Sequence, residues 1–427
     1  MKKLSEMTRE ELIQFRDETK KEYDAWKEKG LKLDMSRGKP SSSQVDISND
    51  LFNLPADGNY CMDGFDVRNY GHLEGVPSAA VLFADILGVK PEEVFVGGNA
   101  SLTLMYDTIA KAYTHGLLHS EMPWAKLDKV KFLCPAPGYD RHFKISQTFG
   151  MELITIPMTE SGPDMDMVEE YVNNDPAVKG IWCVPKYSNP TGISYSDETV
   201  RRFAALKPAA EDFRIYWDNA YCMHHLYDDD QDEILNIITE CEQAGNPDMV
   251  YVFASTSKIS FPGSGVAAIA SSVNNIQQIL KLMTVQTIGH DKINQLRHVR
   301  FFKDIDGLKA HMKKHADILR PKFEAVVQTL ESELGGLGIG SWVSPKGGYF
   351  ISFDAMPGCA KRIVGMCKDL GVVLTGAGAT YPYGQDPLDA NIRIAPSFPS
   401  PEEMKMASEI FVLCVKLASV EKLLGEF

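Results

Sequence analysis

The chain has 427 residues, 44% of them hydrophobic and 24% charged, which is ordinary for a globular protein and excludes global disorder. Its formal charge of -14 excludes nucleic acid and anionic membrane as expected partners, because both reward clustered Lys and Arg. The length favours two domains, or one large α/β domain with an appendage.

The opening segment reads as a helix: Thr8 and Glu11 form a capping box, and Leu12, Phe15, Thr19, Tyr23 and Trp26 follow at helical spacing to an end near Gly30. "MSRGKPSSSQ" after it is loop. The start carries no apolar leader, and no later run reaches membrane-spanning length, so a cytoplasmic location is expected. From about residue 90 the pattern changes to short apolar runs: "EEVFVGG", "VKFLCPAP", "MELITIPM", "VKGIWCVP", "FRIYWDN", "MVYVFAS" and "GVAAIASS". Such runs, spaced widely enough for crossover helices, predict a largely parallel sheet covered on both faces. "LKAHMKKHADILRPKFEAVVQTLESEL" reads as a long helix interrupted at Pro321, with strands following near "GGYFISFDA" and "NIRIAPS". The expected fold class is α/β. A large domain over 49–305 carries a mostly parallel mixed sheet, and a smaller α+β domain over 306–427 is joined by residues 1–48. The eight cysteines form no CxxC pair and are expected as free thiols, most of them buried. "HHLYDDDQDE" is expected as a solvated loop and "GGLGIGSW" as a turn; no metal site is predicted.

Open parallel sheets bind ligands outside the carboxyl ends of their strands. Five such ends are polar here. "VGG" leads into Asn99, Ala100 and Ser101, "CPAP" into Gly138 and Tyr139, and "CVP" into Lys186 to Asn189. "YWDNAY" carries Asp218 and Tyr221, and "YVFASTSK" delivers Ser255, Ser257 and Lys258. Singly each has a plainer reading: Asn189 before Pro190 starts a turn, Asp218 caps a helix, Tyr139 packs, Lys258 is a surface charge. Together they match the needs of pyridoxal 5′-phosphate. Lys258 supplies the amine for a Schiff base and Asp218 favours a protonated pyridine nitrogen. Tyr221 and Asn189 suit the 3-oxygen, and Tyr139 the ring face. Backbone N–H groups over Gly98 to Ser101, at a helix start, suit the phosphate, with the Ser255 and Ser257 hydroxyls.

"YSNPTG" at 187–192, "DNAY" at 218–221 and "STSK" at 255–258 resemble the motifs of fold-type I pyridoxal-phosphate aminotransferases of class I/II, in their usual order. "RNYG" at 68–71 and "NIRIAPS" at 391–397 extend the resemblance over most of the chain. "SRGKP", "CPAPGYDRH" and "IGHDKINQLRH" are similar to an atypical aspartate aminotransferase branch, sometimes called MocR-type. The resemblance implies Lys258 as Schiff-base lysine and proton shuttle, Asp218 as pyridinium partner, and Tyr221 with Asn189 as 3-oxygen donors. It implies Tyr139 as the stacking aromatic, Arg393 on the substrate α-carboxylate, and Gly38 in a substrate-closing loop. Tyr70 then reaches the phosphate of a neighbouring subunit, which implies a homodimer with shared active sites.

Two departures stand out. Where common members keep a phosphate-binding arginine eight residues past the lysine, this chain has Val266. No counterpart of the arginine that reads the substrate's side-chain carboxylate is evident around "MTVQTIGHDK". Arg141 is the candidate replacement and Lys39 a weaker one, although Arg141 reads equally as a surface ion pair. The expected activity is transamination between an amino acid, aspartate favoured, and a 2-oxo acid, 2-oxoglutarate favoured. The alternative on the same fold is a lyase or decarboxylase. A non-catalytic regulator is the rival from another class, and regulators of that kind carry a DNA-binding domain.

Overall fold

The computed structural model describes residues 2–427. Helix α1 (Arg9–Lys27) begins at the expected capping box: Glu11 N–H donates to Thr8 Oγ1 at 3.3 Å, and Thr8 N–H donates to Glu11 Oε2 at 2.6 Å. Leu12, Thr19 and Tyr23 are buried on one stripe, and Phe15 and Trp26 pack beside them. A short helix, α2 (Ser42–Asp46), follows the "SRGKP" loop.

All seven apolar runs form strands. β1 (Val94–Val96), β2 (Lys131–Ala136), β3 (Glu152–Thr159), β4 (Gly162–Pro163), β5 (Val178–Cys183), β6 (Arg214–Asp218), β7 (Val250–Ser255) and β8 (Ala267–Ala270) make one sheet in the order β1-β8-β7-β6-β5-β2-β3-β4. The central strands β7, β6, β5, β2 and β3 run parallel, whereas β8 and β4 run against their neighbours. Side chains alternate across the sheet. Ile215, Trp217, Val250, Val252 and Ala254 enter one apolar cluster; Tyr216, Tyr251 and Phe253 enter the other. Both faces are therefore dry, which explains the unbroken apolar runs. Helices α3 (Ser101–Thr114) and α4 (Asp140–Thr148) start at the carboxyl edge, after β1 and β2.

A third cluster joins α1 to the C-terminal third. It holds α5 (Ile305–Leu334) and the antiparallel strands β9 (Gly340–Trp342), β10 (Ile351–Ala355) and β11 (Asn391–Ile394). The expected interruption at Pro321 is corrected: α5 runs through it. An internal proline costs roughly 3 kcal/mol, but Leu319, Phe323, Val326, Val327 and Leu330 bury on either side, and Lys322 Nζ donates to Ser397 O at 2.9 Å. A second correction concerns "HHLYDDDQDE". Its three consecutive aspartates are exposed, yet His224 is buried and His225 half-buried. Seven of the eight free cysteines are buried, and Cys61 is exposed. Among the described residues no helix is long and apolar enough to cross a membrane.

Candidate active site

At the carboxyl edge lies a cavity of about 480 Å³. It collects Ala100 and Ser101 at the start of α3, Tyr139 and Arg141 around the start of α4, and Asn189 beyond β5. Asp218 and Tyr221 come from the end of β6, and Ser255, Ser257 and Lys258 from the end of β7. Gly38 and Arg37 close it from the N-terminal loop, and Arg393 enters from β11. A somewhat larger cleft of about 540 Å³ beside Lys186 and Tyr227 gathers no comparable set, so chemistry rather than size picks the site.

Lys258 is half-buried in the cavity wall, with Nζ 5.1 Å from the centre of the Tyr221 ring. Burial pushes its amine below the usual lysine range, and the Asp218 carboxylate partly opposes this. Asp218 itself is buried. His142 Nε2–H donates to its Oδ2 at 3.0 Å, while Oδ1 has no partner. The His142 ring is clamped by Trp182, stacked at 4.6 Å and 12°. Sequence reading missed His142. It stands three residues after Tyr139 on the first turn of α4, and its task depends on two strands far apart in the chain.

Arg393 is anchored from three directions. It donates to Asn189 Oδ1 at 3.2 Å, to Thr375 Oγ1 at 3.0 Å and to Ser36 O at 3.5 Å, and its guanidinium lies 4.6 Å from the Phe350 ring centre. Asp140 Oδ1 is 3.7 Å away, and Nε is buried without a partner. Burial lowers the Arg393 pKa, against the pull of Asp140. Ser36, Thr375 and Phe350 carry no signal in sequence for this contact. Burial, followed by Asp218 and Asp140, pushes the Tyr139 hydroxyl up to about 12; burial and then Tyr139 and Asp218 hold Tyr221 well above the usual phenol range. Both phenols are neutral donors at neutral pH.

Not every expected residue arrives. Asn99 does not line the cavity; its carbonyl approaches Gly265 instead. Gly98 has φ +66, a conformation that glycine adopts freely, and this turns the chain from β1 into α3. Tyr70 is 80% exposed and absent from the cavity of its own chain. Lys39 is turned away, its ammonium 3.8 Å from the centre of the Phe398 ring. Arg141 lines the cavity with an exposed side chain and makes no ion pair among the described residues. Val266 is buried, its N–H donating to Thr256 Oγ1 at 2.9 Å. The basic side chains that line the cavity are Arg37, Arg141, Lys258 and Arg393. Gly38 is required by proximity: a Cβ there falls 2.1 Å from Phe350 Cζ.

The family described as aspartate amino-transferase matches residues 7–427. The chain belongs to that family. An aspartate aminotransferase of Corynebacterium glutamicum is 45% identical to this aminotransferase over 419 residues, covering 98% of this chain and 96% of the relative. A crystal structure of an aspartate transaminase from that organism superposes with a TM-score of 0.96 at 45% identity, over 98% of this chain and 99% of the other. The α-aminoadipate aminotransferase of Thermus thermophilus, solved with N-(5′-phosphopyridoxyl)-L-leucine, superposes at 0.70 with 19% identity, covering 92% and 93%, and shares the fold. The architecture of this aminotransferase is fold type I, as the sequence motifs imply.

Proposed function

We propose that this aminotransferase carries pyridoxal 5′-phosphate on Lys258 and exchanges amino groups between aspartate and 2-oxoglutarate. Asp218 carries the reading. A buried carboxylate oxygen without a partner is costly, and a protonated ring nitrogen is the complement that fits the Oδ1 side of a carboxylate already held by His142. The donor set around it fits the rest of the group. Ala100 and Ser101 offer N–H groups at the α3 start, with the Ser255 and Ser257 hydroxyls 3.0 Å apart beside them. The Tyr221 hydroxyl and the Asn189 amide nitrogen serve as donors to the 3-oxygen, and Tyr139 offers a flat face.

When bound, the cofactor withdraws electrons from the substrate α-carbon. The chain's own residues do the remainder. Lys258, its amine depressed by burial, has a neutral fraction ready to take the α-proton and return it on the other side of the reaction. Arg393 binds the α-carboxylate with a fixed fork, and its unpartnered Nε is one of the donors. Arg141, which has no ion pair, takes the side-chain carboxylate of aspartate or 2-oxoglutarate. Tyr70 is exposed, and Gly71 beside it lies against Gly289, next to Ile288, which is 61% exposed; this surface supports a homodimer in which Tyr70 reaches the cavity of a second copy. The domain division at 48 and 305 and a cytoplasmic location belong to the same proposal.

A visible absorption spectrum of the purified protein, before and after L-aspartate without any oxo acid, tests it. A cofactor band that moves to the amine form supports transamination. A band that stays put directs the reading to a lyase or to other amino acids, and no band after reconstitution overturns it. Lys258→Ala is expected to abolish the lysine-linked band and nearly all turnover; retention of both refutes the assignment.

A further inference from the structure

Three buried histidines that transamination does not use converge on the main chain of Lys258 and Ile259. Ile259 O accepts from His311 Nε2 at 2.8 Å and from His315 Nε2 at 2.9 Å. Lys258 O accepts from His224 Nε2 at 3.3 Å and from the Tyr349 hydroxyl at 3.5 Å. These two carbonyls lie in the turn after β7 whose own bonds, Ile259 and Ser260 N–H to Thr256 O, leave them open.

The donors have a fixed direction. Ser41 N–H donates to Gln44 Oε1 at 3.1 Å, which is half of the capping box that starts α2. The Gln44 amide nitrogen must then face His315 Nδ1 at 3.2 Å and the Tyr349 hydroxyl at 3.0 Å. His315 Nδ1 therefore accepts, its proton sits on Nε2, and Nε2–H points at Ile259 O. The series runs Ser41, Gln44, His315, Ile259. It crosses from the segment after the Gly38 loop, through α5, to the carbonyl of Ile259, the residue after Lys258.

We propose that Gln44 and His315 are positioning residues for Lys258: they lock the seating of the N-terminal loop to the orientation of the lysine's main chain, so that neither is fixed without the other. This rests on the reading of Lys258 as the cofactor lysine. The lock works in one protonation state. A proton added at His315 Nδ1 sets two donors face to face, and Gln44 cannot turn over without giving up its bond from Ser41. The titratable groups around His315 are His311 on α5, 3.2 Å away, and His224 beyond β6, with the Tyr349 hydroxyl sharing the Gln44 amide; none is a carboxylate. Burial and then His311 lower His315 to about 4, so the lock holds at neutral pH and fails on acidification.

Two measurements test the coupling. Amide hydrogen exchange on the cofactor-free protein is read for Gln44→Met and His315→Leu. Each variant is expected to speed exchange both at 38–45 and at 257–261; His315→Leu removes the link itself, and Gln44→Met is the discriminating variant because Gln44 makes no bond to the 257–261 main chain. In the loaded enzyme both are expected to lower kcat about tenfold, the worth of one buried hydrogen bond, with KM for aspartate changed less than twofold. His315→Gln keeps a donor and an acceptor without titrating, and is expected to restore kcat and to flatten its acid limb. In Gln44→Met, exchange that quickens only at 38–45, or kcat within twofold of the parent, overturns the proposal. The exchange readout is independent of turnover, so its failure is distinguishable from failure of the transaminase reading.

Discussion

His142→Phe isolates one hydrogen bond. Phenylalanine keeps a flat ring against Trp182, where the imidazole stacks at 4.6 Å, at the cost of a slightly larger ring, and removes the N–H that reaches Asp218 Oδ2 at 3.0 Å. A hydrogen bond to a charged group contributes roughly 1.5–3 kcal/mol. Without it both oxygens of the buried carboxylate are left without a partner, so its charge is less well stabilised. A less well stabilised anion is the poorer counter-charge for a ring-nitrogen proton. Since each 1.36 kcal/mol is tenfold in rate, kcat/KM for aspartate and 2-oxoglutarate is expected to fall about tenfold to a hundredfold. Titration of the cofactor-free variant is expected to show a cofactor Kd raised about tenfold by the same lost bond. If the variant keeps its circular dichroism spectrum and both constants stay within twofold of the parent, His142 does not act through Asp218 and the argument fails.

Arg141→Ala is expected to lower kcat/KM for aspartate about tenfold or more while leaving alanine little changed, since only the dicarboxylate loses a partner; equal effects on both substrates refute the assignment. Gly38→Ala forces a Cβ to within 2.1 Å of Phe350 Cζ, so the loop must shift, and KM is expected to rise by a factor corresponding to about 1–3 kcal/mol of overpacking. An unchanged KM shows that the loop does not close on substrate. His298 and His315 are each lowered by burial from 6.5 to about 4. Their neutral forms are fully compatible with the fold above the unfolded value near 6.5, and stability is lost as pH falls from there toward 4, by roughly 3 kcal/mol for each. Thermal melts of the cofactor-free protein across that window check the sign, and a Tm that holds steady down to about pH 4 contradicts it.

Seven of the eight strands were legible as apolar runs, the central ones because both faces of the sheet are dry there, whereas β4, a Gly-Pro pair, carried no such signal. Lys258, Asp218, Tyr221 and Asn189 were legible for a related reason: polar residues directly after such runs have few other uses. The supports of these residues were not. His142 meets Asp218 only because β2 and β6 flank β5, and Ser36 and Thr375 meet Arg393 only once the N-terminal loop and the C-terminal segment fold over one cavity. Nothing local marks such partners. Pro321 misled for the opposite reason, since local preference predicted a break that the buried residues on either side override.

Arg393 has a last consequence. Its Nη donors are engaged by Asn189, Thr375 and Ser36, its charge is answered by Asp140 at 3.7 Å, and Nε is left without a partner. An arriving carboxylate therefore meets a charge already partly answered, and what it gains beyond the open Nε comes partly by trading places with neighbours of the guanidinium. Such a swap yields selectivity for shape with little net gain in hold, so products that carry the same carboxylate leave as readily as substrates enter, which suits a reaction run in both directions through one opening.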